Sequence, residues 1–317
     1  MSLDVVSVDA PVVPAPAPHA APVADPFATP SLRALVGAPD PLPLPAASWG
    51  AAEALLALDE ARLALDLHLP DPQVVSALTT VVLRAGAYAV KVFAPGTDPG
   101  HVARVADALA GSRTAVLPVA APVVTSWGVV SVQPWLVATG TADWAATGRL
   151  LRRFHAAHAH ADLPTWVPLR RLEPQLAGLP EGAADVLLAA RDTLLDELST
   201  LHLPLGVGAV HGDVSPMNVL RHGRRHLLID LDFAARGPRE YDLSSAARRA
   251  DAGEIDPVTY LDFCRAYGHD VRAWEGRVVL DRIALLGGVA FRLWDDRRQG
   301  RDLGWLAPAV ADWRTPL

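Results

Sequence analysis

Residues 207–234 form a short β-rich island between long helical stretches, and they constrain the fold more than any other part of the chain. The island reads "VGAVHGDVSPMNVLRHGRRHLLIDLDFA". It breaks down as the end of a strand, a polar loop, and a hairpin with His222 and Gly223 near its turn. Asp213 lies in the loop, Asn218 leaves it five residues later, and Asp230 ends the returning strand after the apolar "HLLI". Antiparallel pairing predicts that Asn218 and Asp230 meet at the open end of the hairpin. Oxygen ligands so placed suit a hard cation such as Mg²⁺, which takes one or two protein oxygens and leaves its other positions to phosphates and water. Asp213, beside them, is then free to accept a proton.

The rest of the chain divides around this island. Upstream, two β-like runs, "VVSALTTVVL" (74–83) and "AYAVKVF" (87–93), are joined by Arg84, Ala85 and Gly86 as a turn. A helix carrying "AAEALLALDEARLAL", capped by Ser48, precedes them. Asp98 and Pro99 are suited to the N-cap and first position of a helix running to about Ala110, closed by Gly111. "AVLPVAAPVV" and "WGVVSVQPWLV" are again strand-like, and from about Thr141 the periodicity turns helical. The expected fold is α+β and two-lobed: a β-rich lobe over 46–135 and a mostly helical lobe over 136–317. Residues 1–45 read as an extended or disordered Pro/Ala-rich leader, because proline removes donors and disfavours helix and sheet.

Lys91 is the only lysine in a chain whose other basic side chains, 27 of its 28 Lys and Arg residues, are arginine. It sits between Val90 and Val92 on the second strand of the predicted hairpin. An edge-strand lysine can snorkel over apolar surface. A buried, unpaired ammonium costs several kcal/mol, and phosphate oxygens would supply the missing partner. The dispersed net charge of −7 argues against a nucleic-acid partner. Charged residues interrupt every apolar run short of the ~20 needed to span a bilayer, so no membrane segment is expected. A single cysteine, Cys264, excludes an internal disulfide and fits a cytoplasmic protein.

Taken together, His211-Gly212-Asp213, four residues, Asn218, and then "IDLDF" resemble the aminoglycoside phosphotransferase and choline kinase family. "LLRRFHA" before the first motif and "GPREYDL" after the second are similar to that family's pattern. The resemblance covers most of residues 48–300 and implies a protein-kinase-like fold and Mg²⁺-dependent transfer of the γ-phosphoryl of ATP or GTP to a small-molecule hydroxyl acceptor: an antibiotic, a sugar or an amino alcohol. It implies that Lys91 neutralises the nucleotide's phosphates, that Asn218 and Asp230 hold the metal, and that Asp213 is the catalytic base. His211 would be structural, and Asp242 would cap the next helix and brace the catalytic loop. Asp232 would assist the metals or serve structure, and Ser215 would touch a phosphate or bond its own backbone. The base would sit against the crossover at Gln133, Pro134 and Leu136, on the carbonyl of Pro134 and the amide of Leu136.

"FRLWDDRRQG" is the stretch expected to contact the acceptor, through Trp294, Asp295 and Asp296. His155, His158 and His160 do not converge on one helix face and are not read as a metal site. Two family features are missing. Residues 76–86 hold only Gly86, so main chain and hydroxyls of "SALTT" must cover the phosphates. The helix after Lys91 lacks a glutamate to fix the ammonium; Asp107 would serve only with a shifted register. These gaps favour, as one alternative, a nucleotide-binding relative without catalysis, against which the joint presence of Lys91, Asp213, Asn218 and Asp230 speaks; a second alternative, a metal-dependent hydrolase using His211, Asp213 and Asp230, leaves Lys91 unexplained.

Overall fold

The computed structural model describes residues 35–36 and 38–317. The first lobe is built on a five-stranded antiparallel sheet in the order β1-β2-β3-β5-β4. Its strands are β1 Gln73–Ala77, β2 Thr80–Ala85, β3 Tyr88–Phe93, β4 Val123–Thr125 and β5 Gly128–Pro134. The run 74–83, read as one strand, is two. It folds back at Leu78 and Thr79, with a bulge between Val74 and Ser76, and β1 lies exposed at the sheet edge.

Alternation along β3 decides what each face of this sheet can do. Val90 and Val92, with Val81, Leu83, Val130 and Val132, face helix α1 (Ala51–Ala61) and are buried against Trp49, Ala54, Ala57 and Leu58. Lys91 and Phe93 therefore project from the opposite face, beside Ser131 and Val129 of β5. The cap of α1 differs from expectation. Its N-cap is Gly50, whose N–H donates to Glu53 Oε2 at 2.9 Å, rather than Ser48. Helix α2 (Pro99–Ala108) starts as expected, with the Asp98 carboxylate accepting from the Gly100 N–H and proline in the first turn.

The second lobe is mostly helical: α3 Trp144–Ala157, α4 Leu172–Leu176, α5 Glu181–Thr200, α6 Glu240–Asp251, α7 Pro257–Tyr267, α8 Arg277–Arg298 and α9 Leu306–Asp312. Helices α3 and α7 pack closely because Gly148 carries no side chain. A Cβ there would lie 2.7 Å from the Phe263 carbonyl oxygen. Leu280, Ile283, Leu286 and Leu293 of α8 fill a second core with Leu172 and Leu187. Into this frame are set two small antiparallel pairs, β6 (Val207–Val210) with β9 (Ala235–Pro238) and β7 (Val219–His222) with β8 (Arg225–Leu228).

Main-chain and side-chain bonds join the lobes at several places, three of them outside the site. The segment after α2 bonds to β8, Leu228 N–H to Thr114 O at 2.8 Å and Val116 N–H to Leu228 O at 2.9 Å. The crossover bonds to the same hairpin through Thr139 N–H and Arg221 O at 2.8 Å. The third is the end of the segment read as leader. Asp40 pairs with Arg171 at 2.7 Å, Pro41 O accepts from Asp98 N–H, and Val36 and Leu42 are buried, so this end is packed. Residues 1–34 and 37 lie outside the described residues. Among the described residues no helix is long and apolar enough to cross a membrane.

Candidate active site

Asp213 is held by groups that all come from the second lobe. The loop leaves β6 into His211, which is fully buried and whose ring bonds in both directions: Nε2 to Ile229 O at 2.9 Å and Nδ1 from Asp213 N–H at 3.2 Å. A ring that accepts at Nδ1 carries its proton at Nε2, so His211 donates to the Ile229 carbonyl. Beneath it, Asp242 accepts from the backbone N–H groups of His211 at 2.7 Å and Gly212 at 2.8 Å. Asp242 in turn bonds His155 Nε2 at 2.9 Å, and His155 Nδ1 meets the Tyr267 hydroxyl at 2.8 Å. The brace expected of Asp242 is present, but it does not cap α6, whose N-cap is Arg239.

Gly212 is required where it stands. Its φ is +85°, and a Cβ would meet the Phe233 carbonyl oxygen at 2.6 Å, so only glycine lets the loop lie against the turn that carries the other acids. Asn218 ends a 3-10 turn, Pro216–Asn218, and its Nδ2 donates to the Asp213 carbonyl at 2.8 Å and to Asp213 Oδ2 at 3.0 Å. With Nδ2 committed, Oδ1 is the atom left to face a cation. Ser215 precedes this turn, and its side chain makes no capping bond to it.

Ile229 N–H donates to Asn218 O at 3.0 Å, which closes the hairpin and puts Asp230 just past its open end. Asp230 takes a left-handed backbone, φ 61° and ψ 62°, a conformation that costs a non-glycine residue roughly 1–2 kcal/mol. The chain then makes a 3-10 turn, Leu231–Phe233. Asp230 and Asp232 therefore reach the same side through this reversal and not through strand alternation.

Both acids meet Lys91. Its Nζ pairs with Asp230 Oδ1 and lies 2.6 Å from Asp232 Oδ1. The two carboxylates differ in setting: the Asp230 side chain is 45% exposed and that of Asp232 14%. Burial disfavours charge on Lys91, but Asp232 and Asp230 outweigh it and raise its pKa. Burial pushes the Asp230 carboxyl up and Lys91 pulls it further down, below the ordinary range. For Asp232, burial wins over the attraction of Lys91, and its pKa is raised. One ammonium against two carboxylates leaves the trio short of positive charge.

Helix α2 contributes no acid here. His101, Val102, Val105 and Ala106 line a cavity, about 430 Å³ counting its solvent-open mouth, that Gln133, Ser131 and Asp232 also line. Asp107 is exposed. Gln133 and Pro134 end β5 opposite Ala89 and Tyr88, and Leu136 follows, half-buried. Thr79 and Thr80, at the β1–β2 turn, line a second, adjoining opening of about 250 Å³ together with Arg171 and Asp232.

The stretch expected to contact an acceptor is largely occupied. Asp296 is buried and accepts from Arg301 Nε at 2.6 Å and Trp305 Nε1 at 2.9 Å; Asp295 pairs with Arg301; Trp294 stacks near Phe291 and Arg298. These bonds tie the end of α8 to the chain that follows. Sequence reasoning missed the roles of His155, Tyr267 and Arg298. For His155 a signal existed, since it lies one turn beyond Leu151 on the buried face of α3, where a histidine needs a polar partner.

Several solved structures share this architecture. A choline/ethanolamine kinase family protein from Mesorhizobium loti is 20% identical, with 81% of this chain and 99% of that one covered and a TM-score of 0.55. Choline kinase LicA from Streptococcus pneumoniae is 16% identical, covering 84% and 99%, with a TM-score of 0.57. Amicoumacin kinase hAmiN, solved with AMP-PNP, Ca²⁺ and Ami, is 15% identical, covering 82% and 91%, with a TM-score of 0.62. At such identities the likeness establishes the protein-kinase-like fold alone. No curated protein matches the sequence. The model of the phosphotransferase enzyme family matches residues 72–278, from β1 to the first turn of α8 and so through every motif above, and the chain belongs to that family.

Proposed function

We propose that this protein transfers the γ-phosphoryl group of ATP or GTP to a hydroxyl of a small molecule, with Mg²⁺ as the cation. The observation that carries the reading is the meeting of Lys91 with Asp230 and Asp232 beside a catalytic loop in which Asn218 holds Asp213. Phosphoryl transfer asks the protein mainly for positioning and charge, and these side chains supply both. Asp213 Oδ2, steadied by Asn218, orients the acceptor hydroxyl and takes its proton. Lys91 meets phosphate oxygens as a compact charge. The Pro134 carbonyl and the Leu136 amide hold the base, with Gln133 at its edge.

The donor set fits Mg²⁺. Among the described residues no three or more His, Cys, Asp or Glu side chains form a metal cage, and Mg²⁺ does not need one. Asn218 Oδ1 and Asp230 would hold it, and it would neutralise charge on the phosphates. The acceptors consistent with the family are antibiotics, sugars and amino alcohols.

The test is transfer of labelled phosphate to a panel of these three classes, with ATP and with GTP, with and without Mg²⁺. The expected result is cation-dependent product with one class. Nucleotide binding with no transfer to any acceptor would instead favour a non-catalytic relative, the reading suggested by the missing helix acid.

A further inference from the structure

A phosphate-binding lysine on a strand needs a carboxylate that stays with it, and the acid within the neighbouring helix, Asp107, is exposed and does not line the cavity there. The positions of α2 lining the cavity that Asp232 also lines are His101, Val102, Val105 and Ala106, none of them an acid. Two carboxylates reach Lys91 from the other lobe, and they are not equivalent. Asp230 is the more exposed, follows the residue paired with Asn218, and is the one placed to turn toward a cation. Asp232 is nearly enclosed and lies at 2.6 Å from Nζ. If Asp230 is drawn to a cation, Lys91 loses one partner, and a buried ammonium left alone is costly. The Asp232 carboxylate remains.

We propose that Asp232 is the positioning residue of Lys91, doing from the second lobe what a helix carboxylate would do from the first. The turn that carries it is fixed by the Ala234 N–H to Leu231 O bond at 3.0 Å and by the contact of Phe233 with Gly212. The catalytic loop, the acid for the cation and the brace of the lysine thus belong to one rigid unit. Aligning Lys91 then depends on the lobes being together and not on the orientation of α2.

This inference rests on the phosphate-binding role of Lys91 proposed above, so its test has one arm that does not need turnover. Denaturant unfolding of the wild type, Lys91→Met, Asp232→Asn and the double variant should be non-additive, with the second substitution costing far less once the first is made. Additive effects would overturn the pairing, whatever the chain catalyses. Coupling in unfolding, with no transfer by the wild type, would leave the pairing standing and sink the proposed function.

The second arm is kinetic. Asp232→Asn should lower kcat/KM for the nucleotide about 30- to 100-fold, while the Mg²⁺ concentration giving half-maximal rate stays within about threefold. Asp230→Asn should raise that concentration about tenfold or more. Adding Val102→Glu or Ala106→Glu to Asp232→Asn places a carboxylate in the same cavity and should recover about tenfold of the loss. An Asp232→Asn enzyme whose Mg²⁺ requirement rises as that of Asp230→Asn does would make Asp232 a metal ligand and end the proposal. Should Asp232→Asn not fold alone, the Val102→Glu double variant carries the test: a folded, active double supports the brace, and one that does not fold overturns it.

Discussion

The catalytic loop at 211–213 and the lysine strand β3 meet at one site but are anchored differently. The loop is held from beneath by its own lobe. Asp242 receives two of its backbone N–H groups, His155 and Tyr267 hold Asp242, and all three side chains are buried in helices α3, α6 and α7. Lys91 is fixed as a strand residue by β2 and β5, yet among the described residues the ion pairs of its charged end are made across the cleft, with Asp230 and Asp232. One half of the site carries its own frame, and the other is completed when the lobes come together.

The largest effects should come from the self-contained half. Asp213→Asn keeps the shape of the side chain and its contact with Asn218 but removes the proton acceptor. Transfer should fall about 10³-fold, within the range for loss of a general base, while nucleotide binding persists. Single-turnover transfer beside equilibrium nucleotide binding measures both. Turnover close to wild type would take Asp213 out of the reaction.

Lys91→Arg comes next and probes the half completed across the cleft. A guanidinium is planar and broad, and in a side chain only 10% exposed it cannot put its charge where a compact ammonium sits. A loss of about 100-fold in kcat/KM, equivalent to roughly 2.7 kcal/mol of transition-state stabilisation, is expected with the fold intact. In a chain that otherwise uses only arginine, a Lys91→Arg protein that melts normally and keeps activity within a few-fold would falsify the phosphate contact.

Asp242→Asn should have a mixed outcome. It turns one of two acceptor oxygens into a donor facing a backbone N–H or His155, and leaving a buried group unsatisfied costs about 1–3 kcal/mol. The melting temperature should fall, and kcat should drop about tenfold as the loop loosens, with the KM for nucleotide little changed. A fall in stability with kcat unaltered would show that the loop is set by His211 alone.

The same contrast explains what could be read in advance. The spacing Asp213–Asn218–Asp230 was legible because hairpin pairing converts sequence distance into spatial distance, and Ile229 N–H to Asn218 O is the bond that does so. The strand setting of Lys91 was legible from the apolar, β-branched run around it and the turn before it. The pairing of Asp232 was not, because it needs the left-handed turn at Asp230, and aspartate is merely permitted in that conformation. The split of 74–83 into two strands was hidden because Leu78 and Thr79 carry no turn residue such as glycine or asparagine. Trp294, Asp295 and Asp296 were drawn toward the acceptor because their sequence shows charge and aromaticity but not that Arg301 and Trp305 fold back on them.

Arg298 sharpens the comparison with the smallest effect, since it is a second place where the first lobe is completed by the other. From the end of α8 its Nη1 donates to the Leu78 carbonyl at 3.1 Å, in the turn whose neighbours Thr79 and Thr80 line an opening with Asp232, and its Nη2 donates to the Trp49 carbonyl at 2.7 Å. Both acceptors are main-chain atoms, so only the guanidinium is needed, and the bond is half-exposed and cheap to lose. Arg298→Ala should lower stability by no more than about 1 kcal/mol. If this turn covers the phosphates as proposed, it would be less restrained, so KM for the nucleotide should rise about two- to fivefold while kcat holds, as for lost uniform binding. Arg298→Lys is the informative companion. A single ammonium has no fork to span both carbonyls and should behave like the alanine variant. If Arg298→Lys instead kept the wild-type KM, charge near the turn and not the double bond would be what matters. If neither substitution moved KM, the turn would be held by the β1–β2 hairpin itself, and within the site the first lobe would depend on the second through Lys91.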